Sequence, residues 1–172
     1  MELVDVYSKN HIRTGLVIGR DDVPPVGDFL LAVHLCLFDH SGRMLLQRRN
    51  PNKDRYAGMW DVSAGGFVKS NEEPLSAAMR EVTEELGLSL PASDIFYLTT
   101  ELFSYVLDDF FGAFVNADTL SFRLQEEEVT DIMWASEEDI LSMRENGTLV
   151  DYAYDLLKRI FKSVREQMKS SR

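Results

Sequence analysis

The order of apolar and polar positions along the chain predicts a protein built mainly of β-strands with a few amphipathic helices. Two strongly β-forming runs, 29–39 and 43–49, are separated by the short turn sequence His40-Ser41-Gly42. Asp108-Asp109 is expected to form a turn between two later strands. The remaining runs of strand length are 3–7, 14–18, 59–63, 95–105, 110–117 and 128–134.

Other segments carry apolar residues at helical spacing. The last helix is predicted at about 151–168, and Ser136 precedes a shorter one. A further helix is predicted after residue 70, where Pro74 suits the first turn and Gly87 suits the C-terminal stop. Its capping candidates are Ser70, Asn71 and Glu72, and its apolar stripe is Leu75, Ala78, Met79, Val82 and Leu86. These elements predict a mixed sheet with helices on both sides.

Three carboxylates are predicted to share one face of this helix. Glu81, Glu84 and Glu85 stand at i, i+3 and i+4, where like charges weaken a helix by roughly a few tenths of a kcal/mol per pair. A cation would neutralise them, and carboxylate oxygens favour Mg²⁺ or Mn²⁺. Arg80 can also reach Glu84 one turn away. The alternative is a solvated acidic helix with a surface ion pair.

Residues 66–88 read GFVKSNEEPLSAAMREVTEELGL and match every defined position of the pattern G-x5-E-x7-R-E-U-x-E-E-x-G-U, where U is aliphatic. The segment therefore resembles the signature of the Nudix (MutT-like) hydrolases. The resemblance implies an α/β (α+β) fold, a Nudix-type α/β/α sandwich with a mixed sheet, formed by 1–172 as a single domain. It implies metal ligation by Gly66, Glu72, Glu81, Glu84 and Glu85, and catalytic roles for Glu84, Glu85 and Arg80.

The stretch before the signature resembles the isopentenyl-diphosphate-isomerase-like branch of that superfamily. In that branch the positions of Arg49 and Lys53 contact the substrate diphosphate, and both residue types suit phosphate oxygens. The alternative is an exposed basic loop. The isomerase's own chemistry is not expected, since its cysteine and histidine positions hold Gly65 and Phe67, and a further histidine position falls at about Leu30.

Several other residues are open to more than one interpretation. Nudix enzymes often take the general base from outside the signature, so one of Glu126, Glu127 and Glu128 is a candidate beside Glu84. A solvated loop is an equal alternative for these three. His34 is expected on a sheet face rather than at a metal, and Cys36, the single cysteine, is expected to be a buried thiol.

Composition limits the partners. The chain has 172 residues, with 45% hydrophobic and 27% charged positions and a net charge of −11. The negative charge disfavours nucleic acid and anionic membranes as partners. No membrane span or signal peptide is predicted, so a cytoplasmic protein is expected. A homodimer is compatible with the sequence.

Together these observations predict a Mg²⁺- or Mn²⁺-dependent hydrolase of a small phosphorylated substrate, cleaving the diphosphate linkage of a nucleoside diphosphate or a related organic pyrophosphate. One alternative is a non-catalytic ligand sensor on the same fold. The complete signature argues against it, because such sensors tend to lose the metal-binding acids. A less favoured alternative is an enzyme that binds isoprenyl diphosphates.

Overall fold

A computed structural model describes residues 1–170 of the chain. Its strands are β1 (Leu3–Tyr7), β2 (Arg13–Gly19), β3 (Leu30–Phe38), β4 (Met44–Arg49), β5 (Trp60–Asp61), β6 (Ala64–Phe67), β7 (Ile95–Phe103), β8 (Val106–Phe114) and β9 (Val129–Ala135). Its α-helices are α1 (Pro74–Leu86), α2 (Glu137–Glu145) and α3 (Tyr154–Ser170). No helix within the described range is long and apolar enough to cross a membrane.

The strands form a β1–β2 hairpin and a seven-stranded mixed sheet. In the large sheet the order is β5-β4-β3-β8-β7, with β6 also paired to β3 and β9 also paired to β4. The β3–β8 pair is parallel, while the other pairs are antiparallel. Isolated bridges from Val4 to Lys69 and from Tyr7 to Phe29 attach the hairpin. The predicted mixed sheet is confirmed.

The two faces of β3 pack against different helices. Val33, Leu35 and Leu37 belong to the core cluster that includes α1. Cys36 and Phe38 belong to the cluster that includes α2 and α3. Because side chains alternate along a strand, this central strand is buried on both sides, and each large apolar side chain contributes about 1.5–3 kcal/mol. The predicted α/β/α sandwich is confirmed, as is the buried Cys36 thiol.

Helix α1 begins later than its predicted caps suggest. Pro74 is its first residue, and Glu73 precedes it without a capping side-chain bond. The candidates Ser70 and Asn71 donate to the carboxylate of Asp5 instead. The predicted caps are therefore wrong, because tertiary partners engage these residues. At the other end, Gly87 has a φ of 70°, and its N–H bonds to Thr83, as expected for a glycine stop.

The predicted turn at Asp108-Asp109 is also wrong. Both residues lie inside β8, and the chain turns before it, where Ser104 has a φ of 58°. Asp109 is buried, accepting bonds from the Thr100 hydroxyl at 2.5 Å and from His11 Nε2 at 3.1 Å. These partners offset the cost of placing a carboxylate in a strand. They come from other elements, so local sequence could not indicate them.

Strand β3 changes partner along its length. Its last residue pairs with Met44 of β4, whereas 32–35 pair with β6, a strand that the sequence did not predict. Ser63 lies between these two regions and is fully buried. Its hydroxyl accepts from the Leu37 N–H at 2.8 Å and donates to the Leu45 carbonyl at 2.6 Å. This bond pair connects β3 and β4 where the sheet divides.

Candidate functional site

The signature glycine lies directly against one carboxylate of α1, that of Glu81. Gly66 pairs with Val33 of β3, which presents the β6 backbone to the helix. A Cβ added at Gly66 would lie 2.3 Å from Oε1 of Glu81, well inside van der Waals contact. Glycine therefore fits here without displacing Glu81, whereas a larger residue would require the end of that side chain to move.

Glu85 is a buried carboxyl on the same side of the sheet. Its Oε2 accepts hydrogen bonds from Gln47 Nε2 at 3.0 Å and from the Gly65 N–H at 3.3 Å. Burial raises the pKa of Glu85 to about 8, and the nearby charge of Glu81 adds to the rise. Burial raises the pKa of Glu81 as well. The two carboxyls thus share a poorly hydrated space.

Gln47 is a candidate site residue that was not predicted from the sequence. Its side chain is buried and points from β4 to the α1 face, as does that of Leu45 two residues before it. Its Oε1 has no hydrogen-bond partner within residues 1–170. A polar residue in an inward-facing strand position was the available indication.

Arg80 connects the other acids of the signature. Its Nε and Nη2 donate to the two oxygens of Glu72 at 2.8 and 2.9 Å, a bidentate arrangement. Its Nη1 donates to Glu81 at 2.6 Å and to Glu84 at 3.1 Å, so the predicted contact between Arg80 and Glu84 is present. Burial opposes ionisation of Glu72, but the bonds from Arg80 lower its pKa.

The donor set around α1 suits a hard divalent cation. Four carboxylates and the Gly66 carbonyl provide oxygen ligands only. Burial raises the pKa values of Glu81 and Glu85, so a cation beside them would favour their ionised forms. Arg80 forms ion pairs with three of the carboxylates. Within residues 1–170, no group of three Asp, Glu, His or Cys side chains is arranged so that it could hold a metal ion. The donor chemistry fits a metal, while Arg80 supplies the positive charge in this geometry.

The two cations predicted to bind phosphate lie at the end of β4 and in the loop after it. Arg49 donates from Nη1 to Asp61 at 3.1 Å and from Nε to the Arg55 carbonyl at 3.3 Å. Lys53 forms an ion pair with Glu128. Both cations are partly buried and paired with carboxylates rather than lying in an open basic loop.

The three glutamates considered as general bases have different surroundings. Glu128 is partly buried and engaged by Lys53. Glu126 and Glu127 are exposed, and the backbone carbonyl of Glu126 accepts a bond from Asn50. Glu128 is thus the member of this group that stands beside a predicted substrate-binding residue.

A second polar group lies on the α3 side of β3, and its contact between His34 and Asp108 was not predicted from the sequence. His34 stacks on Phe110 with ring centroids 4.7 Å apart, and its Nε2 is 3.5 Å from Asp108. Burial lowers the pKa of His34, but the bond and charge of Asp108 outweigh burial and raise it. His34 is therefore the sheet-face residue expected from the sequence.

Comparison with known proteins assigns the family. The NUDIX domain family matches residues 28–157. The uncharacterized Nudix hydrolase lmo0368 of Listeria monocytogenes is 30% identical over 154 residues, covering 90% of this chain and 91% of that protein. The chain belongs to the Nudix family. These matches establish the family, while membership of the isomerase-like branch stays a prediction.

Solved structures share the fold. DR0079 from Deinococcus radiodurans has a TM-score of 0.77 at 23% identity, covering 92% of this chain and 99% of that one. A MutT protein from Methanosarcina mazei Go1 has a TM-score of 0.63 at 28% identity, covering 78% and 94%. The NUDIX domain of Shewanella oneidensis NrtR, solved with ADP ribose, has a TM-score of 0.60 at 22% identity, covering 81% and 88%.

Proposed function

We propose that this protein is a Mg²⁺- or Mn²⁺-dependent pyrophosphohydrolase that cleaves the diphosphate linkage of a small organic substrate, such as a nucleoside diphosphate joined to another group. The observation that carries the proposal is the pair formed by half-buried Glu81, which lies against Gly66, and buried Glu85, within a complete Nudix signature. Family membership supports the reaction class, because the relatives are Nudix hydrolases.

Gly66, Glu72, Glu81, Glu84 and Glu85 are the residues that would hold the metal. A bound divalent ion would lower the pKa of a coordinated water and neutralise charge on the phosphate. Arg80 would orient the carboxylates, since its guanidinium already contacts three of them. Glu84 is one candidate to take the proton of the water, because its side chain is the most exposed of the carboxylates that Arg80 contacts.

Arg49 and Lys53 would bind the phosphate oxygens of the substrate. Each is paired with a carboxylate, Asp61 or Glu128, and a phosphate would meet side chains whose position is already set. Glu128 would thereby stand close to the reacting phosphate, which keeps it as a second candidate for the base. Glu126 and Glu127 are exposed, and the ion pair of Lys53 is with Glu128 rather than with either of them.

Isomerisation of isoprenyl diphosphates is not supported. A Cβ at Gly65 would lie 2.6 Å from Nδ1 of His34 and 2.9 Å from the Val33 carbonyl. A cysteine at this position, which the isomerase requires, has no room beside β3. The proposal is therefore limited to hydrolysis.

The first experiment is a substrate panel. Nucleoside triphosphates, ADP-ribose, NADH, CoA, nucleotide sugars and isoprenyl diphosphates are incubated with Mg²⁺, Mn²⁺ or EDTA, and phosphate or nucleoside monophosphate release is measured. Metal-dependent turnover of one class is expected. Glu84→Gln and Glu85→Gln should lower turnover about 100-fold or more, whereas Glu166→Gln, an exposed change on α3, should not.

The rival function is a ligand sensor. The Shewanella NrtR domain shows the same fold in complex with ADP ribose. No turnover of any substrate in the panel, together with a rise in melting temperature on adding ADP-ribose, would favour the sensor. Full activity in both glutamine variants would remove the assignment of the carboxylates.

A further inference from the structure

Asp61 is a buried carboxylate that joins three separate parts of the chain. It lies in the short strand β5 and is 6% exposed. Its Oδ1 accepts the hydroxyl proton of Tyr152 at 2.5 Å, and its Oδ2 accepts from Arg49 Nη1 at 3.1 Å. Tyr152 comes from the segment between α2 and α3, about ninety residues later in the chain. Within residues 1–170 no signature residue is hydrogen-bonded to Asp61, although its charge adds to the rise in the pKa of Glu85.

We propose that Asp61 and Tyr152 are positioning residues that fix the guanidinium of Arg49 for the substrate phosphate. This inference rests on the proposed function, in which Arg49 binds the diphosphate. Neither Asp61 nor Tyr152 is expected to touch the reacting atoms.

The contacts of Arg49 define one orientation for its side chain. Its Nε bonds to the Arg55 carbonyl, and its Nη1 bonds to Asp61, so two sides of the guanidinium are engaged. The side chain remains 23% exposed, compared with 9% for the Asp61 side chain. A long arginine side chain carries about 2 kcal/mol of rotamer entropy, and ordering it before binding lowers the cost of binding.

Tyr152 is itself tightly placed. Its N–H bonds to the Val150 carbonyl at 2.7 Å, and the Val150 N–H bonds to the carbonyl of Trp60 at 2.8 Å, next to Asp61. The Tyr152 carbonyl accepts from Arg144 of α2 at 3.0 Å. Its ring meets Phe110 edge-on, with centroids 5.9 Å apart. The hydroxyl therefore reaches Asp61 from a fixed backbone.

Tyr152 holds the carboxylate of Asp61, and that carboxylate in turn holds the guanidinium of Arg49. Burial, and then the charge of Asp61, raise the pKa of Tyr152, so its hydroxyl stays a donor. The Val62 N–H donates to the same Oδ1 at 2.8 Å, and the two bonds leave Oδ2 of Asp61 directed at Arg49. Loss of the hydroxyl would leave the Val62 N–H to hold Oδ1, so the carboxylate would turn more freely and the guanidinium would sample other orientations.

The test compares Tyr152→Phe with Tyr7→Phe, which removes the hydroxyl of a buried tyrosine in β1. With the substrate hydrolysed best in the panel, Tyr152→Phe should raise KM about 3- to 10-fold and leave kcat within about 2-fold, while Tyr7→Phe changes neither. In an Arg49→Ala background, Tyr152→Phe should change KM less than about 2-fold. An equal effect in both backgrounds, or an unchanged KM in the folded single variant, would overturn the proposal.

A second measurement does not depend on turnover. In protein labelled with ¹⁵N-arginine, the Nε–H signal of Arg49 is assigned by its loss in Arg49→Lys. Its exchange with solvent should be several-fold faster in Tyr152→Phe and in Asp61→Asn than in the wild type. Unchanged exchange in Tyr152→Phe would disprove the positioning role. Faster exchange in a protein that hydrolyses nothing in the panel would retain the positioning role and reject the proposed function.

Discussion

Nε2 of Gln47 lies 3.0 Å from Oε2 of Glu85, and this bond joins strand β4 to the signature helix inside the core. The amide stabilises the ionised form of Glu85, but burial and the charge of Glu81 prevail, so the carboxyl keeps its proton near neutral pH. Without metal, the molecule therefore has a neutral acid at its centre, and several consequences can be measured.

The stability of the metal-free protein should fall as pH rises from about 5 to about 8.5. The pKa of Glu85 is about 8 in the folded state, against about 4.3 in an unfolded chain, so the folded state binds more protons between these values. This contribution is fully present below the unfolded pKa and is lost as pH rises through the folded pKa. Chemical unfolding in EDTA should show a loss on the order of 3 kcal/mol.

Glu85→Gln serves as the control for this pH dependence. Glutamine imitates the neutral carboxyl and does not titrate, so the variant's stability should change less over the same range. Above about pH 8 the metal-free variant should be more stable than the wild type. Parallel curves for the two proteins would show that Glu85 is ionised throughout.

Metal binding should release a proton at neutral pH. A carboxylate must lose its proton to ligate a cation, and Glu85 retains one near pH 7. Titration calorimetry with Mn²⁺ in PIPES and in Tris should give enthalpies that differ by about one proton's worth of buffer ionisation. In Glu85→Gln this difference should disappear. A buffer-independent enthalpy in the wild type would contradict the prediction.

Arg80→Lys should damage both stability and turnover. Lysine cannot reproduce the fork that contacts Glu72, Glu81 and Glu84, so carboxylates in a partly buried cluster lose their partner. We expect a loss of about 2–3 kcal/mol in unfolding free energy and a fall of about 100-fold in kcat/KM. Arg165→Lys, at an exposed ion pair on α3, should change neither by much. Near-normal activity of Arg80→Lys would mean that its carboxylates do not need orienting.

Gly66→Ala tests the contact between β6 and α1. The new Cβ would lie 2.3 Å from Oε1 of Glu81, so the end of that flexible side chain must move, and the substitution should destabilise the protein by about 1 kcal/mol. In a Glu81→Ala background the same change should cost much less, because the obstructing side chain is gone. Thermal unfolding of the wild type, the two single variants and the double variant gives the coupling free energy between Gly66 and Glu81. Equal costs in both backgrounds would show that Gly66 is needed for another reason.

Lys53→Gln should affect substrate binding more than the chemical step. The ammonium is partly buried beside Glu128 and would pair with phosphate. An increase of about 10-fold in KM is expected, with kcat within about 3-fold. Lys162→Gln, on the exposed side of α3, has the same change of charge and should leave KM unaltered. An equal rise in both variants would indicate a general charge effect.

The sequence predicted the parts of the molecule that are encoded locally. The signature placed Glu81, Glu84 and Arg80 within reach of one another, and the alternating and helical patterns predicted most strands and all three helices. Gln47 and Asp61 could not be assigned, because each is one polar residue in a strand whose partner lies in a distant segment.

The same reason explains the errors. Asp108-Asp109 has turn composition, yet His34, Thr100 and His11 stabilise these carboxylates within a strand. Strand β6 has two glycines and little β-propensity, but its pairing with β3 overrides that composition. Tyr152 follows α2 in sequence and reaches Asp61 because the chain returns to β5.

The hydroxyl of Ser63 spans the point where β4 and β6 part from β3, bonding the Leu37 N–H and the Leu45 carbonyl. The candidate site opens from this division, with Gln47 and Arg49 on one branch and Gly66 on the other. Widening the site at its base would leave two backbone groups unpaired in the core, at about 1–3 kcal/mol each. New substrate specificities are therefore more accessible through changes in the loops at the outer rim, where shape can vary without endangering folding.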